Sequence, residues 1–151
     1  MLTGSYPMSV DAKARITLPA VFRKQLLTDD NKTIKLVPFG GCVNGFTPEG
    51  FKAFVDSLFA ADGGLNPRDK EDVRLKRLMV SRAVEVDVDS AGRVALGKLD
   101  ASRPGTREKF GLTGDVVVIG NDDRFEVWDA SKWAAMNEDA DDELDSLLYN
   151  C

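Results

Sequence analysis

Two stretches of the chain share one alternation of apolar and polar positions. Met8 and Val10 close a short period-two segment, as do Val86 and Val88, while Ile16-Thr17-Leu18 and Val94-Ala95-Leu96 open two more. β-Branched residues in period-two alternation predict strands that bury one face. Between the segments lie Asp11-Ala12-Lys13-Ala14 and Asp89-Ser90-Ala91-Gly92. Both predict tight turns, because aspartate accepts from backbone amides ahead of it and glycine takes a positive φ. Ala14 stands where the second turn has Gly92, so the first turn is expected to be tighter or strained. Pro19 predicts the start of a helix over 19–27, with Val21, Phe22 and Leu26 on its apolar side and Arg23 and Lys24 facing out. Further strands are expected at 33–37, 116–119 and 124–128, and short helices at 48–59 and 130–136. Gly40-Gly41-Cys42-Val43-Asn44-Gly45 reads as a flexible turn, and 60–67 as a loop. The segment 67–80 predicts a connecting helix packed on the core through Val73, Leu75, Leu78, Met79 and Val80, with Arg74, Lys76, Arg77 and Arg82 on its basic side.

These elements repeat. The segments 8–18 and 86–96 both read apolar-x-Val-Asp-x-x-x-Arg-aliphatic-x-Leu, at an offset of 78 residues. Phe46 with Phe51, and Trp128 with Trp133, form a second matching pair at an offset of 82. Two matches in the same order predict two copies of one unit. The expected organisation is a first unit over 1–54, a connecting loop and helix over 55–80, a second unit over 81–136 and a tail over 137–151.

Composition narrows the chemistry. A chain of 151 residues, 43% hydrophobic and 30% charged, suits one domain or two small fused ones with a buried core. No apolar run approaches the roughly 20 residues that span a bilayer, and the first ten residues do not read as a signal peptide, so a cytoplasmic location is expected. Histidine is absent, which removes Ser-His-Asp and Cys-His nucleophile pairs, HExxH zinc sites and imidazole bases. Cys42 and Cys151 read as two free thiols. No Walker-type or GxGxxG phosphate loop is present. No cofactor, metal or small-molecule ligand is expected.

Charge is unevenly distributed. The net charge is −5, yet the tail alone holds Glu138, Asp139, Asp141, Asp142, Glu143 and Asp145 with no lysine or arginine, which leaves the rest of the chain at +1. The first 37 residues are net +3. A basic head and an acidic tail share one short chain. The tail reads as a solvated terminus, weakly docked by Leu144, Leu147, Leu148 and Tyr149, or else as a modulator of the basic surface.

The twice-occurring DxxxR turn, the run Arg15-Ile16-Thr17-Leu18-Pro19-Ala20-Val21-Phe22-Arg23 and the late Asp123-Arg124-Phe125-Glu126-Val127-Trp128 together resemble the MraZ family, bacterial transcriptional regulators built from two SpoVT-AbrB-type units. The likeness runs to about Met136. Ala14 replaces the usual glycine of the first turn, Gly97 stands where a proline is usual, and 100–107 is a longer, more irregular connection. The resemblance implies an α+β fold: a swapped-hairpin β-barrel formed by two repeated SpoVT-AbrB-like units with short packed helices. It also implies ring-shaped homo-oligomers, nucleoid association, and binding to short direct repeats of double-stranded DNA upstream of the division and cell-wall gene cluster.

The candidate DNA contacts are Lys13 and Arg15, with Arg93 second to them because Glu85, Asp87 and Asp89 surround it in sequence. Arginine presents a planar fork that matches guanine O6 and N7, and lysine a point charge suited to phosphate. Asp11 and Asp89 are expected to orient the two turns. From the residues alone, a DNA contact and a surface ion pair that merely pins each turn stand level; the resemblance favours DNA for Lys13 and Arg15. The aromatics Phe46, Phe51, Trp128 and Trp133 read as core rather than as stacking platforms for single strands. A DNA-binding regulator is the leading reading. A protein-interaction module on the same repeated unit is the alternative, and an enzyme using carboxylates such as Asp87 and Asp89 the third.

Overall fold

The computed structural model describes residues 1–150. Cys151 lies outside them, so only the Cys42 half of the thiol expectation meets the structure, as a buried free cysteine. The chain begins β1 (Ser5–Ser9), β2 (Arg15–Thr17), α1 (Ala20–Leu26), β3 (Thr33–Phe39), β4 (Cys42–Phe46) and α2 (Pro48–Ser57). After a short 3-10 turn at Ala60–Asp62 come α3 (Lys70–Arg82), β5 (Val84–Asp87), β6 (Arg93–Ala95), α4 (Gly97–Ser102) and α5 (Thr106–Phe110). The chain continues through β7 (Asp115–Asn121), β8 (Arg124–Asp129), α6 (Ala130–Met136) and α7 (Ala140–Tyr149).

Six strands form one antiparallel sheet in the order β1-β7-β8-β4-β3-β5, and β2 pairs with β6 in a separate two-stranded ribbon. Each segment's first strand leaves its own segment. β1 pairs with β7, β5 pairs with β3, and the ribbon takes one strand from each. The α+β class holds. The barrel does not close among the described residues, because β1 and β5 remain the edges of an open order and neither ribbon strand pairs with a strand of the six-stranded sheet.

One core explains why the two segments share strands. Ile16, Leu18, Phe22, Ile34, Leu36 and Val43 pack with Val86, Val94, Leu96, Val118, Phe125 and Val127, so both segments fill the same interior. The opposite face of β3 and β4 carries a second cluster, Val37, Phe46, Phe51, Val55 and Phe59, beneath α2. Thr47 caps α2 by accepting from Gly50 N at 2.9 Å, with Pro48 opening the first turn.

Several expectations change. The turn expected over 40–45 is confined to Gly40-Gly41, and residues 42–46 are a strand buried along its whole length. Burial on both faces erases the alternation that would have announced it. Gly45 leaves room for the Phe125 ring of the paired strand, and the Asn44 amide donates to the carbonyls of Val37 and Phe39 at 3.2 Å. The irregular stretch after Leu96 is two short helices, tied by Asp100, which accepts from Arg107 N and Nε, each at 2.9 Å. Val21 faces solvent instead of the core. On α3 no residue is fully buried: Met79 packs under the sheet, while Leu75 and Val80 are exposed. The tail over 140–149 is helical, and its apolar residues are not docked.

Candidate nucleic-acid interface

The two DxxxR turns are built alike, hydrogen bond for hydrogen bond. Asp11 Oδ1 accepts from the backbone N–H of Lys13 at 2.9 Å and of Arg15 at 2.8 Å, and Oδ2 from Arg15 Nε at 2.9 Å. Asp89 Oδ1 accepts from Ala91 N at 3.0 Å and Arg93 N at 2.9 Å, and Oδ2 from Arg93 Nε at 2.8 Å. One carboxylate therefore closes each turn and also fixes the rotamer of the arginine four residues on. Both carboxylates titrate below the usual aspartate range, first because of the backbone N–H of Arg15 or Arg93 and then through that arginine's side chain. A depressed folded pKa means that this contribution to turn order is full at neutral pH and is lost only as pH falls through the lowered value. Carboxyl-carbon NMR titration is expected to place both midpoints below that of a model aspartyl peptide. A midpoint at or above the peptide value would show that the cap does not form in solution.

Ala14 has a φ of 61°, the left-handed region, where Gly92 has 81°. An L side chain costs about 1–2 kcal/mol there. Ala14→Gly is therefore expected to stabilise the chain by about 0.5–1 kcal/mol, the strain relieved less the entropy that glycine loses on folding. A urea midpoint that stays or falls would refute strain at this turn.

The ribbon register sets the geometry of the face. Arg15 lies opposite Ala95, Ile16 opposite Val94 and Thr17 opposite Arg93. Ile16 and Val94 point into the core, at 1% and 0% exposure, so Arg15, Thr17, Arg93 and Ala95 share the outer face. Leu18 N donates to Gly92 O at 2.9 Å and Leu96 N to Ala14 O at 2.8 Å, which locks each turn to the strand arriving from the other segment. Thus Asp11, Arg15, Asp89 and Arg93 are gathered on one ribbon with its turns at opposite ends, and Lys13 sits exposed on the first turn.

Sequence reasoning missed the surroundings of the second turn. Asp89 and Ser90 border a groove of about 370 Å³ with Arg23 and Lys24 of α1, with Lys32 and with one further acid, Asp29. The Arg23 side chain lies across Gly92, so a Cβ there would have to displace that arm as well as take a positive φ. The acids in sequence near Arg93 are partly engaged elsewhere: Glu85 meets Lys35 at 3.8 Å, and Asp87 accepts from Thr33 Oγ1 at 2.9 Å. The signal that could have found these bases was the Arg23-Lys24 pair on the helix that follows the ribbon strand.

The aromatics are structural. Phe46, Phe51 and Trp128 are buried, and Trp128 packs on Trp133 with ring centroids 5.7 Å apart. Burial pushes the Cys42 thiol up to about 12, which disfavours a reactive thiolate. Among the described residues no cluster of acids and cysteine could hold a metal ion, and no helix is long and apolar enough to cross a membrane.

The fold and the paired turns define a two-part α+β protein whose polar chemistry is organised on a shared ribbon. A profile of the family described as "MraZ protein" matches residues 1–71 and 79–146, two segments that begin 78 residues apart, as do the two DxxxR aspartates. A protein of Ligilactobacillus salivarius (strain UCC118) is 30% identical over 151 residues, covering 99% of this chain and 96% of its own. One of Nitratidesulfovibrio vulgaris (strain Hildenborough) is 34% identical over 150 residues, 97% and 93% of the two chains, and one of Acetivibrio thermocellus is 33% identical over 147 residues, 97% and 94%. Each of the three is named "Transcriptional regulator MraZ". The chain belongs to the MraZ family.

Proposed function

We propose that the chain is a transcriptional regulator that binds duplex DNA through the outer face of the β2–β6 ribbon. In this reading the segments 1–54 and 81–136 are two SpoVT-AbrB-like units whose exchanged strands make one swapped-hairpin DNA-binding body. The observation that carries it is the shared direction of Arg15 and Arg93. Each is held through Nε by its own aspartate, and neither terminal NH2 group has a protein partner among the described residues. A carboxylate-held guanidinium loses little freedom on binding, and its open fork suits a guanine edge. Diagonal positions on an antiparallel pair lie roughly 7–8 Å apart, close to two base-pair steps of roughly 3.4 Å, and a two-stranded ribbon fits a major groove. Lys13, with Arg23, Lys24 and Lys32 beside the second turn, would supply phosphate contacts. Those three bases outnumber Asp29 and Asp89 in the same groove, which favours a phosphate beside the second turn.

A ring-like homo-oligomer on short direct repeats would let several weak ribbons act together, since linked sites multiply their affinities. The membership supports this reading through the printed names of the relatives, and the resemblance supports the division and cell-wall gene cluster as the operon controlled. The test is a gel shift against the DNA upstream of the chain's own gene, with a scrambled duplex as control. Preferential retardation of the native duplex is expected. Equal retardation of both at all salt concentrations would refute specific recognition.

A further inference from the structure

Two surfaces outside the ribbon complement each other and are used by nothing else in the chain. The first lies along α3, where a groove of about 770 Å³ is lined by Val73, Leu75 and Leu78 with the bases Arg68, Lys70, Arg74 and Arg77 and one acid, Glu71. The acids of this segment cluster at its start, where Asp69 caps the helix through Glu71 N and Asp72 accepts from Asn66 N. From Arg74 to Arg82 the helix carries Arg74, Lys76, Arg77 and Arg82 and no acid, and none of the four forms an ion pair among the described residues. The second surface is α7. Ala140, Leu144, Leu147 and Leu148 follow the i, i+4, i+7, i+8 spacing of one helical face. The three leucines are 56%, 72% and 63% exposed. Asp141, Asp142, Glu143 and Asp145 flank them, also without an ion pair.

A ten-residue helix with no packed face is marginal by itself, since isolated helices below about 12–15 residues melt in water. The apolar stripe of α7 therefore needs a seat. We propose that α7 of one copy docks into the α3 groove of a second copy, leucines on Val73, Leu75 and Leu78, and the acids of α7 against Arg74 and Arg77. This is an amphipathic helix laid in a groove, with anchors at i, i+3 and i+4. Lengths agree: α7 is about 15 Å long and α3 about 20 Å at 1.5 Å per residue. The topology favours a second copy over the chain's own helix. α6, from which α7 continues, packs on β7 and β8, whereas α3 packs on β3, two places further along the sheet. The three residues 137–139 between α6 and α7 reach at most roughly 10 Å. A head-to-tail contact of this kind leaves one free α3 and one free α7 on every pair, so it propagates to further copies. The inference rests on the self-association part of the proposed function and is independent of DNA binding.

Sedimentation velocity on the full chain tests it. Leu147→Ser with Leu148→Ser changes only exposed positions, so the circular dichroism of the folded body is expected to persist while self-association weakens about tenfold or more, the size of a truncated interface anchor. Arg74→Glu with Arg77→Glu is expected to do the same, more strongly at low salt. Mixing the two variants rebuilds one α7–α3 contact, so the mixture is expected to form 1:1 pairs that neither forms alone. In a Cys151→Ser background, Leu75→Cys with Leu147→Cys is expected to give a disulfide between chains. Self-association that survives both double variants overturns the proposal, as does a parent chain that stays monomeric at every concentration. A disulfide formed within one chain overturns it by making the chain's own α7 the occupant. Loss of DNA binding with intact assembly in Arg74→Glu with Arg77→Glu also overturns it, by making α3 a phosphate face.

Discussion

Arg15→Ala is expected to abolish preferential binding to the native duplex while leaving the folded chain intact. The turn does not depend on the guanidinium alone. Asp11 keeps the backbone N–H of Lys13 and of residue 15, and the Asp11 N to Arg15 O bond at 2.9 Å is also main chain. What the substitution removes from the fold is a partly exposed ion pair at 2.9 Å, a contact that solvent screens and that contributes little to stability. What it removes from the complex is a held fork, worth about 1–3 kcal/mol of discrimination per base contacted. Several ribbons acting together repeat the loss in every copy, so the observed drop exceeds the single-site figure. Arg15→Lys separates charge from geometry: the ammonium keeps phosphate attraction but offers no bidentate fork, so affinity for any duplex is expected to persist better than the preference for the native one. Lys13→Ala is expected to weaken both duplexes alike and to lower the salt slope by about 1. Gel shifts at several salt concentrations check all three. Unaltered preference in Arg15→Ala would remove the ribbon from the recognition surface.

Gly45→Ala is expected to produce a large loss of stability. Gly45 lies opposite Phe125 in the β4–β8 pairing, and a Cβ there would overlap the Cζ end of the Phe125 ring. That ring is fully buried in the core shared by the two segments, and the next strand presents another glycine, Gly120, to it. The ring cannot move away without displacing Gly120's neighbours, because the backbone of Leu2 and Thr3 already crowds that residue. Overpacking of this kind costs about 3 kcal/mol, the upper part of its usual range. For a chain of this size that lowers the melting temperature by roughly 6–12 °C. Gly114→Ala is the control, since nothing lies within 4 Å of its Cβ position. A Gly45→Ala melt within about 2 °C of the parent would show that the β4–β8 seam is loosely packed.

The DxxxR turns were legible in the sequence because their chemistry is local. An aspartate that accepts from amides two and four residues ahead needs only its own turn, so the pattern at Asp11 and at Asp89 predicts the bonds that form. The strain at Ala14 was legible for the same reason, by comparison with Gly92. β4 was not legible. A strand buried on both faces has no alternation, and the residues that suit it for burial, Asn44 and Gly45, are the ones that signal a turn when read alone. The helices after Leu96 escaped because their tie, Asp100 to Arg107, spans seven residues without periodic apolar support.

By itself the sequence determined that two like segments exist, that each carries a capped turn with an oriented arginine, and that histidine and cofactor-loop chemistry is absent. These follow from residue identity and short spacing. Only the tertiary structure decided that β1 and β5 cross to the other segment and that one core serves both. It also decided that Arg15 and Arg93 meet on one ribbon, and that Arg23, Lys24 and Lys32 join Asp89 beside the second turn while Glu85 and Asp87 are engaged elsewhere. Those outcomes depend on which apolar faces find each other across some eighty residues of chain, and a long-range pairing of that kind is driven by the area it buries in common, which no window along the sequence contains.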